Sequence, residues 1–333
     1  MSLLEMMDLQ DLKKIALGPV PSRRLGKSLG INNIRPKVCS YSCVYCQLGT
    51  TSEKTIERQV FYKPCDILKA VQRKVENAAL RNERVDYLTF VADGEPTLDV
   101  NFGEEMLLLK RMGLPIAVIT NASLLWLEDV RRELLKADYV SLKVDAVSEE
   151  LWKRVDRPHK DLRLNSVLNG IRDFTESFTG TIVSETMLVG GIDYATELER
   201  VAAFLAELKK LNRAYVAVPT RPPTEKWVEP AREEVVHTAF QVFSEKLSVD
   251  RVEYLLGYEG NDFAFTGDLT ADLLSIMAIH PMLEDAVKGF LRKANSNWQI
   301  IERLLADGEL VELDYKKNKY YMRKLPGRRG NEK

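Results

Sequence analysis

Short apolar runs alternate with longer amphipathic stretches through most of the chain. At 67–82, 102–112, 124–136, 162–178 and 195–211 the apolar residues recur at helical spacing. Between and beyond them, 85–91, 115–120, 139–144, 181–188 and 214–219 are short apolar runs with the length and composition of buried strands. A further short strand is expected near 29–33. Six strands alternating with helices predict an α/β fold around a parallel sheet, a partial (β/α)6 barrel.

The two ends depart from this rhythm. Residues 2–16 mix apolar and polar positions at helical spacing and predict a leading helix. Residues 18–30 break regularity with Gly and Pro and carry Arg23, Arg24 and Lys27. From about Gly260, three short helices at 269–279, 283–293 and 298–307 precede a hairpin at 309–314 and 319–323, a small winged-helix-like outline. The expected division is a leading helix at 1–17, a barrel at 18–258 and this C-terminal domain at 259–333. Its basic end, 316–329, interleaves Tyr320 and Tyr321 with Lys and Arg. That footprint suits a phosphate backbone and makes RNA a candidate partner; a solvated tail is the alternative.

Polar residues gather where the strands end. In order these are Asp93-Gly94-Glu95-Pro96-Thr97, Thr120-Asn121, Lys143 with Asp145, Glu185 with Gly190-Gly191, and Pro219-Thr220-Arg221-Pro222-Pro223. In barrels of this kind the site is built at the C-terminal ends of the strands, so one open-mouthed site is expected there. Lys143 and Asp145 share one face of their strand, as residues two apart do. An isolated surface ion pair is the plainer reading of that couple.

Composition narrows the picture only a little. With 45% hydrophobic and 29% charged residues and a net charge of −1, the chain reads as an ordinary globular protein with no overall field to recruit nucleic acid or membrane. The N-terminus lacks the basic segment of a signal peptide, and no apolar run approaches the ~18 residues that would span a bilayer. A cytoplasmic protein with reduced thiols and no membrane partner is expected.

Three of the four cysteines, Cys39, Cys43 and Cys46, stand in one eight-residue CxxxCxxC stretch. The spacing is too tight for two strain-free disulfides. Three thiolates leave a [4Fe–4S] cluster with one iron that lacks a protein ligand, an open place for chemistry. A structural zinc site would need a fourth ligand, and His159, His237 and His280 all lie far along the chain. Cys65 would complete a four-cysteine set, but Phe-Tyr-Lys-Pro-Cys-Asp-Ile-Leu suggests a buried cysteine at a helix start.

CxxxCxxC with the aromatic Tyr45 before its last cysteine, followed at the next strand end by Gly94-Glu95-Pro96, resembles the radical S-adenosylmethionine (SAM) superfamily across residues 18–230. Several stretches are similar to the branch of Fe–S oxidoreductases that includes the wyosine-tRNA enzymes. They are Gly18-Pro-Val-Pro-Ser-Arg-Arg-Leu-Gly, Cys46-Gln-Leu-Gly, Asp93-Gly-Glu-Pro-Thr-Leu, Asp156-Arg-Pro-His, Glu185-Thr-Met-Leu-Val-Gly-Gly and Pro219-Thr-Arg-Pro-Pro. This likeness supplies chemistry rather than substrate.

The resemblance implies that Cys39, Cys43 and Cys46 hold a [4Fe–4S] cluster whose fourth iron is chelated by SAM. It implies that Gly94, Glu95 and Pro96 accept hydrogen bonds from the SAM amino group and that Tyr45 lies near the adenine. Thr120, Asn121, Lys143 and Asp145 would reach the carboxylate and ribose hydroxyls. An electron from an external donor of flavodoxin or ferredoxin type would cleave SAM to methionine and a 5′-deoxyadenosyl radical that takes hydrogen from substrate. Arg221, Glu225, Arg23 and Arg24 are the candidates for contact with substrate, and Glu185 for a partner to Arg or Lys. The favoured substrate is a macromolecule, RNA ahead of protein. A small-molecule substrate is the alternative, and a non-catalytic, zinc-stabilised nucleic-acid-binding protein is a third reading. With no second cysteine group, auxiliary clusters are not expected.

Overall fold

A computed structural model describes residues 15–257, 260–315 and 317–324 of the chain. Nearly all of the expected leading helix and the end of the basic stretch lie outside the described residues. The strands before the first long helix are β1 (Ala16–Ser22), β2 (Gly26–Ile31), β3 (Val38–Cys39) and β4 (Glu53–Lys54). There follow β5 (Tyr87–Phe90), β6 (Ile116–Thr120), β7 (Tyr139–Lys143), β8 (Thr181–Met187), β9 (Leu211–Ala217) and β10 (Val252–Leu255). The last three are β11 (Met282–Leu283), β12 (Leu310–Tyr315) and β13 (Asn318–Arg323). Among the described residues no helix is long and apolar enough to cross a membrane.

The chain forms two compact units. The first comprises Met1–Pro36, Gln59–Ile116 and Glu259–Lys333; the second comprises Lys37–Arg58 and Ala117–Tyr258. In the first, β1 and β2 form an antiparallel hairpin and β2 pairs in parallel with β5. The expected irregular loop at 18–30 is therefore a hairpin. Its prolines misled because β1 is an edge strand, where a missing N–H is tolerated, and because its register shifts between Leu17 and Val20. Gly18 takes φ +88° at that shift, where a Cβ would stand 2.7 Å from the Val20 nitrogen.

The helix Pro64–Ala79 begins on a proline with Asp66 in its first turn, both favourable at a helix start. It buries Ile67, Ala70, Val71 and Ala78. Cys65 does stand in that first turn but is exposed, not buried, because the apolar stripe begins two residues later. Phe90 and Phe102 meet edge to face at 5.0 Å in the core of this unit.

The C-terminal part of the first unit runs helix Leu269–Ile279, β11, helix Glu284–Lys293, helix Gln299–Ala306, β12 and β13. The three strands form one antiparallel sheet in the order β11-β13-β12. Tyr320 and Tyr321 are 4% and 3% exposed, so these two members of the basic stretch are not presented to a nucleic acid as the sequence suggested. They lie on the central strand of the sheet, where Tyr321 packs edge to face with Trp298 and donates to Glu312 at 2.6 Å.

The second unit is a parallel sheet in the order β6-β7-β8-β9-β10 with helices Glu128–Leu134, Glu149–Val155, Leu164–Ser177, Glu197–Glu207 and Glu233–Leu247 in sequence with it. Its strands bury near-continuous apolar runs such as Val140, Leu142, Ile182, Val183, Ala214 and Val216, as strands of a parallel sheet do. Gly170 is required where its helix crosses the backbone of Leu125, since a Cβ would come within 2.3 Å. Helix Glu149–Val155, helix Glu233–Leu247 and β10 were not anticipated. Two of these are seven and four residues long, too short to establish a period. The α/β architecture with a parallel sheet is the one expected.

Candidate functional site

The cysteine loop belongs to the second unit and is anchored along three flanks. On the first flank β3 and β4 pair within the loop itself, while Lys37 O accepts from Ser52 N at 3.1 Å and Glu53 N at 3.2 Å. On the second, the end of helix Glu149–Val155 takes up the loop backbone. Ser42 N donates to Asp156 O at 3.0 Å, Val44 N to Val155 O at 2.9 Å, and His159 N to Ser40 O at 2.8 Å. On the third, the segment after β9 closes over the far half. Thr224 Oγ1 donates to Cys46 O at 2.5 Å, Glu225 N to Val44 O at 3.3 Å, and Arg221 to the Gln47 side-chain oxygen at 2.9 Å. The Asp156-Arg-Pro-His and Thr-Arg-Pro-Pro stretches are thus supports of this loop. Glu225 also pairs with Arg157 at 2.5 Å.

Each thiol has a different polar neighbour. Asn121 Nδ2 lies 3.5 Å from Cys39 Sγ, Asp156 Oδ1 3.5 Å from Cys43 Sγ, and Lys37 Nζ 3.5 Å from Cys46 Sγ. Among the described residues no group of three or more His, Cys, Asp or Glu stands at metal-binding geometry. Burial pushes the Cys43 thiol well up from its ordinary value, and Asp156 adds to that. The donor chemistry nevertheless suits a thiolate-held iron–sulfur cluster: three sulfurs in one pinned loop, one facing an amide N–H and one facing a buried ammonium.

Behind the loop, the ends of β6, β7 and β8 supply a connected set of polar side chains. Asn121 donates to Ser40 Oγ at 2.9 Å and accepts from Ser123 N at 2.9 Å; Thr120 Oγ1 accepts from Ala122 N at 3.0 Å. The Tyr45 hydroxyl donates to Asp145, whose other oxygen accepts from Met187 N at 2.7 Å. Lys143 pairs with Glu185 across β7 and β8 and stands 5.1 Å from the centre of the Tyr45 ring. Lys143 and Asp145 are therefore no isolated surface couple: Asp145 is 4% exposed, and each has its own partner. Burial works against the charge of Lys143, but Glu185 and Asp145 outweigh it and hold its pKa above the ordinary lysine value. Burial raises Asp145, against the pull of Lys143, and raises Asp156 further, with Asp145 as the next cause.

The remaining residues singled out in the sequence, Arg23, Arg24, Gly94, Glu95 and Pro96, lie in the first unit. Arg23 and Arg24 stand on the turn of the β1–β2 hairpin. Glu95, 1% exposed, accepts from the hydroxyl of Thr97 at 2.6 Å and its N–H at 3.2 Å, capping the turn Pro96–Leu98. Two adjacent asparagines after β2 brace this loop. Asn32 and Asp93 exchange two hydrogen bonds of 3.0 Å, and Asn33 Nδ2 donates to Pro96 O at 3.2 Å and Glu105 at 3.1 Å. Asn33 Oδ1 is buried and has no hydrogen-bond partner among the described residues. A buried acceptor beside Gly94-Glu95-Pro96 suits an incoming amino group.

Asn32, Asn33, Lys37 and Glu105 were missed in the sequence, and Asp156 was quoted only within the Asp156-Arg-Pro-His stretch, without a role. The asparagine pair at a strand end and the lysine two positions before Cys39 were the available signals.

Residues 34–205, just over half of the chain, match the family described as the Radical SAM superfamily. The UPF0026 protein of Methanocaldococcus jannaschii is 46% identical over 318 residues, 95% of this chain and 98% of its own. Among solved structures, Streptococcus suis SuiB bound to precursor peptide SuiA is similar at TM-score 0.54 and 12% identity, over 77% of this chain and 55% of SuiB. This chain thus corresponds to little more than half the length of SuiB. TYW1 with a lysine-pyruvate adduct bound is similar at TM-score 0.51 and 14% identity, over 73% of this chain and 79% of TYW1. At such identities the structural likeness is one of fold. Family match, relative and fold agree with the cysteine loop: the chain belongs to the radical SAM superfamily, in its UPF0026 family, and is an enzyme of the [4Fe–4S] cluster and S-adenosylmethionine.

Proposed function

We propose that this enzyme uses Cys39, Cys43 and Cys46 to hold the cluster and modifies an RNA substrate. Held by these cysteines, a [4Fe–4S] cluster would supply the electron for reductive cleavage of bound SAM, and SAM would supply the 5′-deoxyadenosyl radical as hydrogen acceptor. The chain's own residues orient and enclose. In the second unit, Tyr45 lies near the adenine, and Thr120, Asn121, Lys143 and Asp145 offer hydroxyl, amide, ammonium and carboxylate groups to the SAM carboxylate and ribose. By the resemblance, the amino group of SAM is assigned to Gly94, Glu95 and Pro96. Arg221, Glu225, Arg23 and Arg24 remain the substrate-facing candidates, with Arg221 and Glu225 also steadying the cysteine loop. The non-catalytic zinc reading is set aside by the family.

The observation that supports the RNA reading is the C-terminal order helix–strand–helix–helix–strand–strand between Leu269 and Arg323, which we read as a winged-helix-like domain at 259–333 after a barrel at 18–258. It presents Lys317, Lys319 and Lys324 to solvent and continues into a basic segment. Basic residues of this kind bind a phosphate backbone in a salt-dependent way. The likeness to the wyosine-tRNA branch points the same way. A cytoplasmic setting and a flavodoxin- or ferredoxin-type donor belong to this reading. The test is a mobility shift with bulk tRNA beside 5′-deoxyadenosine production on RNA, protein and metabolite fractions. Salt-sensitive binding that is lost on deleting residues 316–333, with turnover on RNA, is expected. Turnover on a metabolite alone, with no tRNA shift, overturns it. A peptide substrate is the second reading, favoured by the fold likeness to SuiB, which was solved with a precursor peptide.

A further inference from the structure

Lys37 is 1% exposed and heads the fully buried side chains by size. Its ammonium lies 3.5 Å from Cys46 Sγ, and among the described residues no carboxylate pairs with it. Elsewhere in the second unit Lys143, Arg58 and Arg157 have carboxylate partners. A buried ammonium without a counter-charge is among the most unfavourable placements a side chain can take. A neutral thiol does not relieve it; a thiolate does.

The backbone commits the side chain to this place. Lys37 has φ +66°, a left-handed conformation uncommon for a lysine. Its carbonyl accepts from Ser52 N, Glu53 N and Ser52 Oγ, so the ring closure of the loop fixes the residue two positions before Cys39. The three sulfurs are accordingly not equivalent: one faces a cation, one a neutral amide and one an acid.

We propose that the Lys37 ammonium is the fixed counter-charge of the cluster, donating to the Cys46 thiolate and raising the reduction potential. This rests on the reading that Cys39, Cys43 and Cys46 hold the cluster. One-electron reduction by the external donor adds one negative charge to the cluster, and a cation at its sulfur favours that added charge. Net charge and hydrogen bonds to sulfur are the established controls on iron–sulfur potentials.

The test uses the full chain, reconstituted anaerobically with iron and sulfide, in the wild type and in Lys37→Met, Lys37→Arg and Cys46→Ser. Iron and sulfide content and an electron paramagnetic resonance redox titration are the readouts. Lys37→Met is expected to keep its cluster and to reduce at a more negative potential. The expected ratio of reduced to oxidised cluster falls about tenfold at the wild-type midpoint, a shift of about 59 mV for one electron. Lys37→Arg keeps the charge and stays near the wild type. In the metal-free protein, Lys37→Met is expected to raise the unfolding temperature, since it removes an uncompensated buried charge.

An unchanged potential in a fully loaded Lys37→Met protein overturns the proposal. Should that variant fail to load, loading of Lys37→Arg at the wild-type potential supports it, and failure of both overturns it. Full iron content in Cys46→Ser would overturn the cysteine reading itself. Loss of iron there with an unmoved Lys37→Met potential would overturn only the lysine's role.

Discussion

The Gly94-Glu95-Pro96 loop and the cysteine loop are both fixed in place, but by opposite means. The first is braced from within by buried amide and carboxyl side chains: Asn32 on Asp93, Asn33 on Pro96 and Glu105, Glu95 on Thr97. The second is held through its backbone, by hydrogen bonds at Lys37 within the loop and to 155–159 and 224–225 outside it, while its interior keeps an ammonium and three sulfurs. A loop braced by side-chain hydrogen bonds holds its shape as folded and leaves the Asn33 Oδ1 acceptor for an incoming amino group. A loop with unbalanced charge inside is completed by what it binds, so its stability is coupled to loading.

That contrast breaks first at Asn33. Asn33→Ala leaves the Pro96 carbonyl and Glu105 without their donor in a buried setting. A loss of about 3 kcal/mol is expected in denaturant unfolding, together with weaker SAM binding. A loss below ~1 kcal/mol would mean the loop holds its shape without the amide.

Glu105 tests the neutral brace through pH. Burial pushes its carboxyl well above the ordinary 4.5, with Asp99 as the next cause, so the folded protein keeps a proton that the unfolded chain releases. Its stabilising contribution is complete below the unfolded value and is lost as pH rises through the raised folded value. Thermal unfolding of Glu105→Gln against the wild type from acid to neutral pH should show the wild type losing ground by at most about 1.4 kcal/mol per pH unit. Parallel curves for the two proteins would show that Glu105 is ionised in the fold.

The smallest effect is expected at the outer clasp of the cysteine loop. Arg157 and Glu225 are 39% and 30% exposed, so solvent screens their pair. Glu225→Gln should cost less than about 1 kcal/mol and less still in high salt, as read by unfolding titrations. A larger cost would place that pair inside the protected interior of the loop.

What was legible in the sequence follows the same contrast. Cysteine spacing is local, and strand ends are where periodic apolar runs stop, so Cys39–Cys46, Thr120-Asn121 and Lys143 through Asp145 were readable without coordinates. The braces were not. Asn32 reaches Asp93 across 61 positions and Asn33 reaches Glu105 across 72, and neither asparagine looks different from one that opens a loop. Lys37 reads as a surface residue until its burial is known. Tyr320 and Tyr321 read as an exposed pair because their strand's central place in a sheet depends on β11, only two residues long. Pro19 and Pro21 hid a hairpin, since a proline argues against a strand only where both edges are paired.

Those prolines bear on how the chain is made. The hairpin is synthesised early, yet helix Leu269–Ile279, which packs against β1, leaves the ribosome after most of the chain. Through that interval β1 is an open edge, the kind of surface on which nascent chains pair with one another. Pro19 and Pro21 offer no N–H to a stray strand, and the register shift beside them bends the edge out of line. The residues that make the hairpin hard to read are the ones that keep it from being copied before its cover arrives.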